Sequence, residues 1–134
     1  MKYLDVVCRN GLEVSQPALS EDSHRSWEIC VRDPSYPVGQ FTNFVEVMCP
    51  VFTRRAWGAW WRMLDPWMNG WGWGYDQLAS TECGYTRMGV VDSQCVRHAM
   101  PVVSGATSAP SEMAELPALK GRRLFALYTH CGLR

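Results

Sequence analysis

The sequence predicts an α/β fold, a mixed β-sheet with flanking helices, and three segments carry that prediction. A helical pattern over 2–10 stops at Gly11 and is followed by a short apolar strand, an order typical of the second half of a crossover unit. An amphipathic helix pattern covers 54–64. The short apolar run 88–91 is typical of a buried strand.

Short extended segments are predicted between the first two helices. Leu12–Ser15 is predicted as a strand that Gln16-Pro17 ends, and the pattern at 26–31 also permits a strand. The segment 41–52 is rich in aromatic and β-branched residues, which favours strand structure. Pro50 inside it indicates an edge, a bulge or a break, because proline cannot donate a ladder hydrogen bond.

The second half of the chain alternates helices and strands. Thr53 is a natural N-cap for the helix expected over Arg54–Leu64, because its hydroxyl can accept a hydrogen bond from the first turn. Another helix is expected from about Asp76 to Cys83, and Gly84 stops it. A short buried strand is then expected over Arg87–Val91.

The strand over Arg87–Val91 would place Asp92 at its C-terminal end, where open α/β sheets hold their ligand groups. Residues 1–101 are therefore assigned to one folded unit. The segment 102–118 is rich in Ser, Ala and Pro and reads as a connector. The segment 119–134 is expected to form a basic helix.

Composition excludes several classes of protein. The 134 residues carry 13 Lys and Arg against 13 Asp and Glu, so the formal net charge is zero. Binding to nucleic acid or to anionic membranes needs a basic excess, so neither is expected. No apolar run approaches the roughly 18 residues that cross a bilayer. The early Asp5 and a short apolar stretch argue against a signal peptide in this chain.

The cysteines leave two alternatives open. There are six, and none lies in a Cys-x-x-Cys pair, which argues against a zinc knuckle. The even number permits disulfides, but the sequence selects no pairing, and free buried thiols are an equal alternative.

The stretch Gly70–Asp76, Gly-Trp-Gly-Trp-Gly-Tyr-Asp, is the candidate functional motif. Glycine lets the backbone turn sharply and approach a ligand, and aromatic faces are surfaces on which sugar rings stack. Asp76 could cap the following helix or serve as a base at the rim of a site. The alternative is a tight turn whose rings anchor it in the core.

Several strings together resemble the domain-of-unknown-function 707 family, whose members look like glycosyltransferases of the GT-A fold. The strings are GLEVSQPAL at 11–19, VEVMCPVF at 45–52, WGWGYD at 71–76, and GVVDSQ at 89–94 followed by His98. The resemblance covers about 3–101. It implies a partial GT-A-like fold, that of nucleotide-diphospho-sugar transferases, without its N-terminal nucleotide-binding half.

The resemblance also implies residue roles. Asp76 would accept the proton of the acceptor hydroxyl, and Glu46 would contact a sugar hydroxyl. His98 would be a metal ligand, and Asp92 would join it in the metal site, orient it or hold the strand end. The residues expected to shape the sugar pocket are Trp71, Gly72, Trp73, Gly74 and Tyr75. For Glu46 a structural ion pair with Arg54 or Arg55 is an equal alternative.

The implied activity is transfer of a sugar from a nucleotide sugar to a glycan or another hydroxyl acceptor, with Mn²⁺ or Mg²⁺ as cofactor. The Asp-x-Asp motif of such enzymes would precede the helix at 2–10, where this chain begins. The chain is therefore expected to be a fragment or truncated form, inactive alone, of an enzyme whose relatives resemble membrane-anchored proteins of the secretory pathway. The alternatives are an inactive Trp-rich module that binds a glycan or a protein, and an orphan piece without independent function.

Overall fold

The computed structural model describes residues 2–24, 27–64, 74–99 and 131–132. The predicted α/β class is confirmed. The helices are α1 (Tyr3–Asn10), α2 (Arg54–Met63) and α3 (Tyr75–Glu82), and a short 3₁₀ helix covers Glu28–Cys30. The strands are β1 (Val14–Leu19), β2 (Gln40–Thr42), β3 (Val51–Phe52), β4 (Met88–Val96) and β5 (Cys131–Gly132).

The sheet is mixed, as predicted, and its strand order is β3-β1-β4-β2-β5. β1 and β4 are parallel and form the centre, while β3 pairs with β1, and β2 with β4, in antiparallel fashion. β4 extends to Val96, five residues beyond the predicted end at Val91. Val90 and Val91 are fully buried in it, so β4 is the central buried strand of the sheet.

The first helix ends as predicted, but the first strand does not. Gly11 adopts the left-handed conformation with φ 59°, and its N–H donates to the carbonyls of the last turn of α1. β1 runs through Pro17 to Leu19, so the prediction that Pro17 ends it was wrong. The register against β4 shifts between Pro17 and Ala18, and proline is tolerated at such irregularities.

The predicted β-rich segment 41–52 divides into two short strands that lie on opposite sides of the central pair. β2 pairs with β4, and β3 pairs with β1. The intervening segment 43–50 must therefore pass from one side of the β1–β4 pair to the other. It brings Phe44, Val45 and Glu46 into buried positions.

The strand permitted at 26–31 is absent. Glu28–Cys30 is a single turn of 3₁₀ helix, and Val31 makes only an isolated parallel bridge with Leu19. The reason is packing: Cys30 is fully buried beside Leu19 and Phe44, which a flat edge strand would not achieve. The turn therefore covers the end of β1.

The N-cap of α2 is confirmed, because Thr53 Oγ1 accepts a hydrogen bond of 3.2 Å from the Ala56 N–H. α2 and α3 pack together on the sheet through a cluster that includes Trp60, Tyr75 and Met88. The Tyr85 hydroxyl ties the loop after α3 to α2 by donating to the Ala56 carbonyl at 2.8 Å.

The C-terminal predictions fall largely outside the described residues. The connector at 102–118 lies outside them entirely. Of the helix expected over 119–134, only Cys131–Gly132 is described, and these two residues form β5 beside β2, so the helix does not include them. Among the described residues, Cys8, Cys30, Cys49, Cys83 and Cys95 are free thiols. No helix in the described part of the chain is long and apolar enough to cross a membrane.

Candidate functional site

The start of α3 carries the described part of the glycine–tryptophan motif; Trp71, Gly72 and Trp73 lie outside the described residues. Gly74 is the residue before the helix, and its φ of 86° is one that glycine adopts without strain. The Tyr75 ring is buried in the core, 6.3 Å from the ring of Trp60. The turn and the first ring therefore hold the following residue, Asp76, in a fixed position.

Asp76 is a buried carboxyl group in the first turn of α3, with 7% of its surface exposed. Its Oδ1 accepts a hydrogen bond of 2.9 Å from the Gln77 N–H. Burial raises the pKa of Asp76 to about 6, against the effect of that hydrogen bond, and the nearby Glu46 raises it further. A carboxyl group that titrates so close to neutrality is suited to proton transfer.

Glu46 lies in the crossing segment 43–50 and is also buried, with 8% exposed. Its N–H donates to Gln16 Oε1 at 2.6 Å, which fixes it over the middle of β1. Burial raises the pKa of Glu46, opposed by a hydrogen bond from the Cys30 thiol and by the charge of His98. Its Oε2 has no hydrogen-bond partner among the described residues.

The ion pair expected as an alternative role for Glu46 has no support in these contacts. Arg54 and Arg55 are exposed at the start of α2 and are not among the groups that act on Glu46. The groups that do act on it are Cys30 and His98. Glu46 is thus a buried acid on which neither arginine acts.

His98 follows the end of β4 and is held by two hydrogen bonds to the loop after β1. Its N–H donates to Ser23 Oγ at 3.1 Å, and its Nδ1 lies 2.9 Å from the His24 carbonyl oxygen. A carbonyl oxygen can only accept, so Nδ1 carries the proton in the neutral ring. Nε2 is then the nitrogen with a lone pair for a ligand.

Asp92 is buried in β4 with 1% exposed. Its Oδ1 accepts a hydrogen bond of 2.7 Å from the Asp33 N–H, whereas His98 bonds to Ser23 and His24. Burial raises the pKa of Asp92 to about 6, and the charge of Asp33 adds to this effect. Asp92 therefore ties the loop at Asp33 to the strand. The expectation that it lies at the C-terminal end of that strand was wrong, because β4 continues to Val96.

The described residues do not assemble a metal centre. No group of three or more His, Cys, Asp and Glu side chains in this part of the chain could hold a metal ion. Asp92 is hydrogen-bonded to the loop at Asp33, whereas His98 is hydrogen-bonded to the loop at His24. A site for Mn²⁺ or Mg²⁺ thus rests on the resemblance alone, and no chemical step is derived through it.

Two buried residues of the site were not predicted from the sequence. Gln16 and Cys30 are almost fully buried, and both contact Glu46. Gln16 gave a signal, because it is a long polar side chain in a strand bounded by Val14 and Leu19. Cys30 gave none, since buried cysteine is common in any core.

A cavity of about 390 Å³ opens elsewhere, and none of the predicted site residues lines it. Its wall includes Phe41, Ser80 and Arg87. The Arg87 guanidinium lies 4.8 Å from the centre of the Phe41 ring and donates to the Asn10 carbonyl. Arg87 therefore contacts the carbonyl end of α1, where a cation is favourable.

The raised pKa of Asp92 predicts a pH-dependent stability. The carboxyl has an ordinary pKa of 3.8 and a folded pKa of about 6, so its contribution is present at low pH and is lost as pH rises through 6. Asp92→Asn, which keeps an oxygen for the Asp33 N–H, lacks this loss. The unfolding free energy of the variant, relative to that of the wild type, should therefore rise by about 2 kcal/mol from about pH 4.5 to about pH 7.5.

Urea titrations of both proteins at the two pH values measure that difference. Asp22→Asn is the matched control, because Asp22 is exposed and the Ser20 hydroxyl lowers its pKa. Its stability relative to wild type should stay nearly constant between the two pH values, because the effect of a lowered pKa appears only as the pH falls below the ordinary value of 3.8. A difference for Asp92→Asn that does not change with pH would contradict the prediction.

Comparisons with known proteins give one finding about the family. The family model described as "Protein of unknown function (DUF707)" matches residues 1–123. No curated protein matches the chain. No solved structure matches it either.

Proposed function

The chain belongs to the DUF707 family, and on this premise we propose that it forms the acceptor side of a GT-A-like, metal-dependent glycosyltransferase. The observation that supports the proposal is the pair of buried carboxyl groups, Asp76 and Glu46, with the His98 imidazole close enough to act on Glu46. Perturbed acids that cluster in this way are typical of sites for proton transfer.

In the proposed reaction Asp76 accepts the proton of an acceptor hydroxyl while that oxygen attacks the anomeric carbon of the donor sugar. The bond from the anomeric carbon to the diphosphate oxygen breaks, and the electron pair leaves with the diphosphate. Glu46 would bind a sugar hydroxyl through its Oε2, which is buried without a partner among the described residues. The charge neutralisation that Mn²⁺ or Mg²⁺ would supply to the diphosphate has no ligand set among the described residues.

A glycan-binding module without catalysis is the second candidate, and one feature of α2 favours it. Trp60 is buried, but Trp57 and Trp61 are 47% and 65% exposed. Their ring centres are 6.2 Å apart. Neighbouring exposed indole rings provide a surface on which a sugar ring can stack.

The test is a transfer assay with labelled nucleotide sugars and saccharide acceptors, with and without Mn²⁺, on this chain and on the longest product of its gene. Cation-dependent transfer that Asp76→Asn abolishes and Glu82→Gln retains would support the enzyme. Glu82 is the control because it is an exposed acid on the same helix.

Saccharide binding without transfer, measured by tryptophan fluorescence and lost in Trp61→Ala, would support the binding module instead. If no transfer and no saccharide binding are detected, with or without Mn²⁺, both proposals are overturned. Both are also overturned if the chain shows no cooperative unfolding in urea, because it would then have no stable site.

A further inference from the structure

α2 has one side in the core and one side in solvent. Ala56 and Trp60 are buried in the cluster that joins the helix to the sheet. Trp57 and Trp61, on the other side, are exposed. At about 3.6 residues per turn, five residues share this outward side, which we call the Arg–Trp face: Arg54, Trp57, Gly58, Trp61 and Arg62.

The Arg–Trp face is positively charged. α2 contains three arginines and no Asp or Glu, although the charges of the whole chain balance. Arg55 has an acid nearby, since the pKa of Glu13 is lowered by hydrogen bonds from Thr86 and further by the charge of Arg55. In the described part of the chain neither Arg54 nor Arg62 forms an ion pair. The Arg–Trp face is therefore a local excess of positive charge in a neutral protein.

Two indole rings and a cation lie side by side on this face. The ring centres of Trp57 and Trp61 are 6.2 Å apart, with an angle of 37° between the ring planes. The Phe52 ring meets Trp57 edge-on at 5.5 Å, which supports that indole from the side of β3. The Arg62 side chain bends back toward Gly58, where its Nη1 would lie 3.6 Å from an added Cβ. The absence of a side chain at Gly58 thus leaves room for the guanidinium beside the indole pair.

We propose that the Arg–Trp face binds an anionic saccharide, namely one whose rings carry carboxylate groups. The sugar rings lie on the indoles of Trp57 and Trp61, and the carboxylates bind the guanidinium groups of Arg54 and Arg62. This inference rests on the second candidate function, the glycan-binding module, and names the class of glycan that the module takes. It does not depend on catalysis at Asp76.

The side chains of the face favour a saccharide over a lipid surface. A helix that lies in a membrane interface needs an apolar face to bury at the acyl boundary. The apolar side of α2, with Ala56 and Trp60, is already buried in the core, and the Arg–Trp face has no aliphatic side chain. A planar guanidinium matches the two oxygens of a carboxylate, and an indole offers a flat face to a sugar ring. A chain of acidic sugars supplies both contacts.

The test is binding of a fluorescently labelled hexasaccharide of galacturonic acid to the full chain, measured by fluorescence anisotropy. The methyl ester of the same hexasaccharide is the matched ligand, because it has the same rings without the negative charge. We expect the acid form to bind about tenfold more tightly than the ester at low salt. Added salt should weaken binding of the acid form only, since ions screen exposed charges.

Two variants separate the contribution of the charge from that of the rings. Arg62→Gln should weaken binding of the acid form by about fivefold, the upper value for an exposed ion pair, and leave the ester unchanged. Trp61→Ala should weaken binding of both forms by the same factor, because ring stacking does not need the carboxylate. Arg9→Gln is the control, since Arg9 is an exposed arginine in the last turn of α1, and it should change neither affinity.

Equal affinities of the acid and ester forms for the wild type would overturn the inference and leave the glycan-binding module standing. This comparison decides the matter even if a variant fails to fold. Binding of the acid form that neither Arg62→Gln nor Trp61→Ala weakens would also overturn it, because the site would lie elsewhere. The same holds for a chain that binds vesicles of phosphatidylglycerol but neither hexasaccharide. Sugar transfer by a protein that binds neither form would overturn this inference and still support the enzyme.

Discussion

Asp76→Asn is expected to lower the rate of sugar transfer by about 10²–10⁴-fold, the contribution that a general base typically makes. The amide cannot accept the hydroxyl proton, but its oxygen can still accept the bond from the Gln77 N–H that Asp76 Oδ1 makes. Donor and acceptor binding should therefore change little. The measurement is kcat and KM for the form of the protein that shows transfer.

The same variant separates a base from a helix cap through its stability. Burial raises the pKa of Asp76 to about 6, so the ionised form that is present at about pH 8 destabilises the fold. Asp76→Asn should be at least as stable as the wild type at that pH in a urea titration. Near-normal turnover would refute the base assignment, and a large loss of stability would assign Asp76 to capping.

Gly89→Ala is expected to lower the unfolding free energy by about 3 kcal/mol, near the upper end of what overpacking a core usually costs. Gly89 lies in β4, the central strand, where a Cβ would come within 2.9 Å of the Gln40 carbonyl oxygen. Two methyl carbons of Leu12 would lie at 3.2 and 3.3 Å. The backbone of β2 cannot move away without losing its pairing with β4.

Gly58→Ala is the matched control for this prediction. Gly58 is inside α2, and the nearest atom to its added Cβ is the end of the Arg62 side chain at 3.6 Å. Alanine should stabilise the helix there by roughly 0.5–1 kcal/mol. Urea titrations measure the unfolding free energy of both variants. If Gly89→Ala is as stable as the wild type, the backbones of β2 and β4 are farther apart at Gly89 than the structure shows.

Local signals in the sequence predicted the ends of helices well. Gly11 ends α1 and Thr53 caps α2 because each acts through the backbone beside it. Strand ends were predicted less well, because they depend on partners. β1 passes through Pro17 since β4 supplies a shifted register there, and nothing near Pro17 in the chain encodes that partner.

The candidate site shows the same division. Asp76 and His98 were selected from their motifs, and in the structure the charge of Glu46 acts on Asp76 and that of His98 on Glu46. The pairing of Glu46 with Cys30 and Gln16 was not predicted, because it joins three segments that are far apart in the chain. The ion pair with Arg54 or Arg55 was inferred from short separation along the chain, and the fold leaves both arginines exposed.

By itself the sequence determined the α/β class, the family and the positions of the helix caps, since these depend on residue pattern and local backbone chemistry. Only the tertiary structure decided that β2 and β3 lie on opposite sides of the central pair. That arrangement carries segment 43–50 across the sheet and buries Glu46 near Asp76. Burial then raises the pKa of both acids, and no property of either residue alone could have produced this rise.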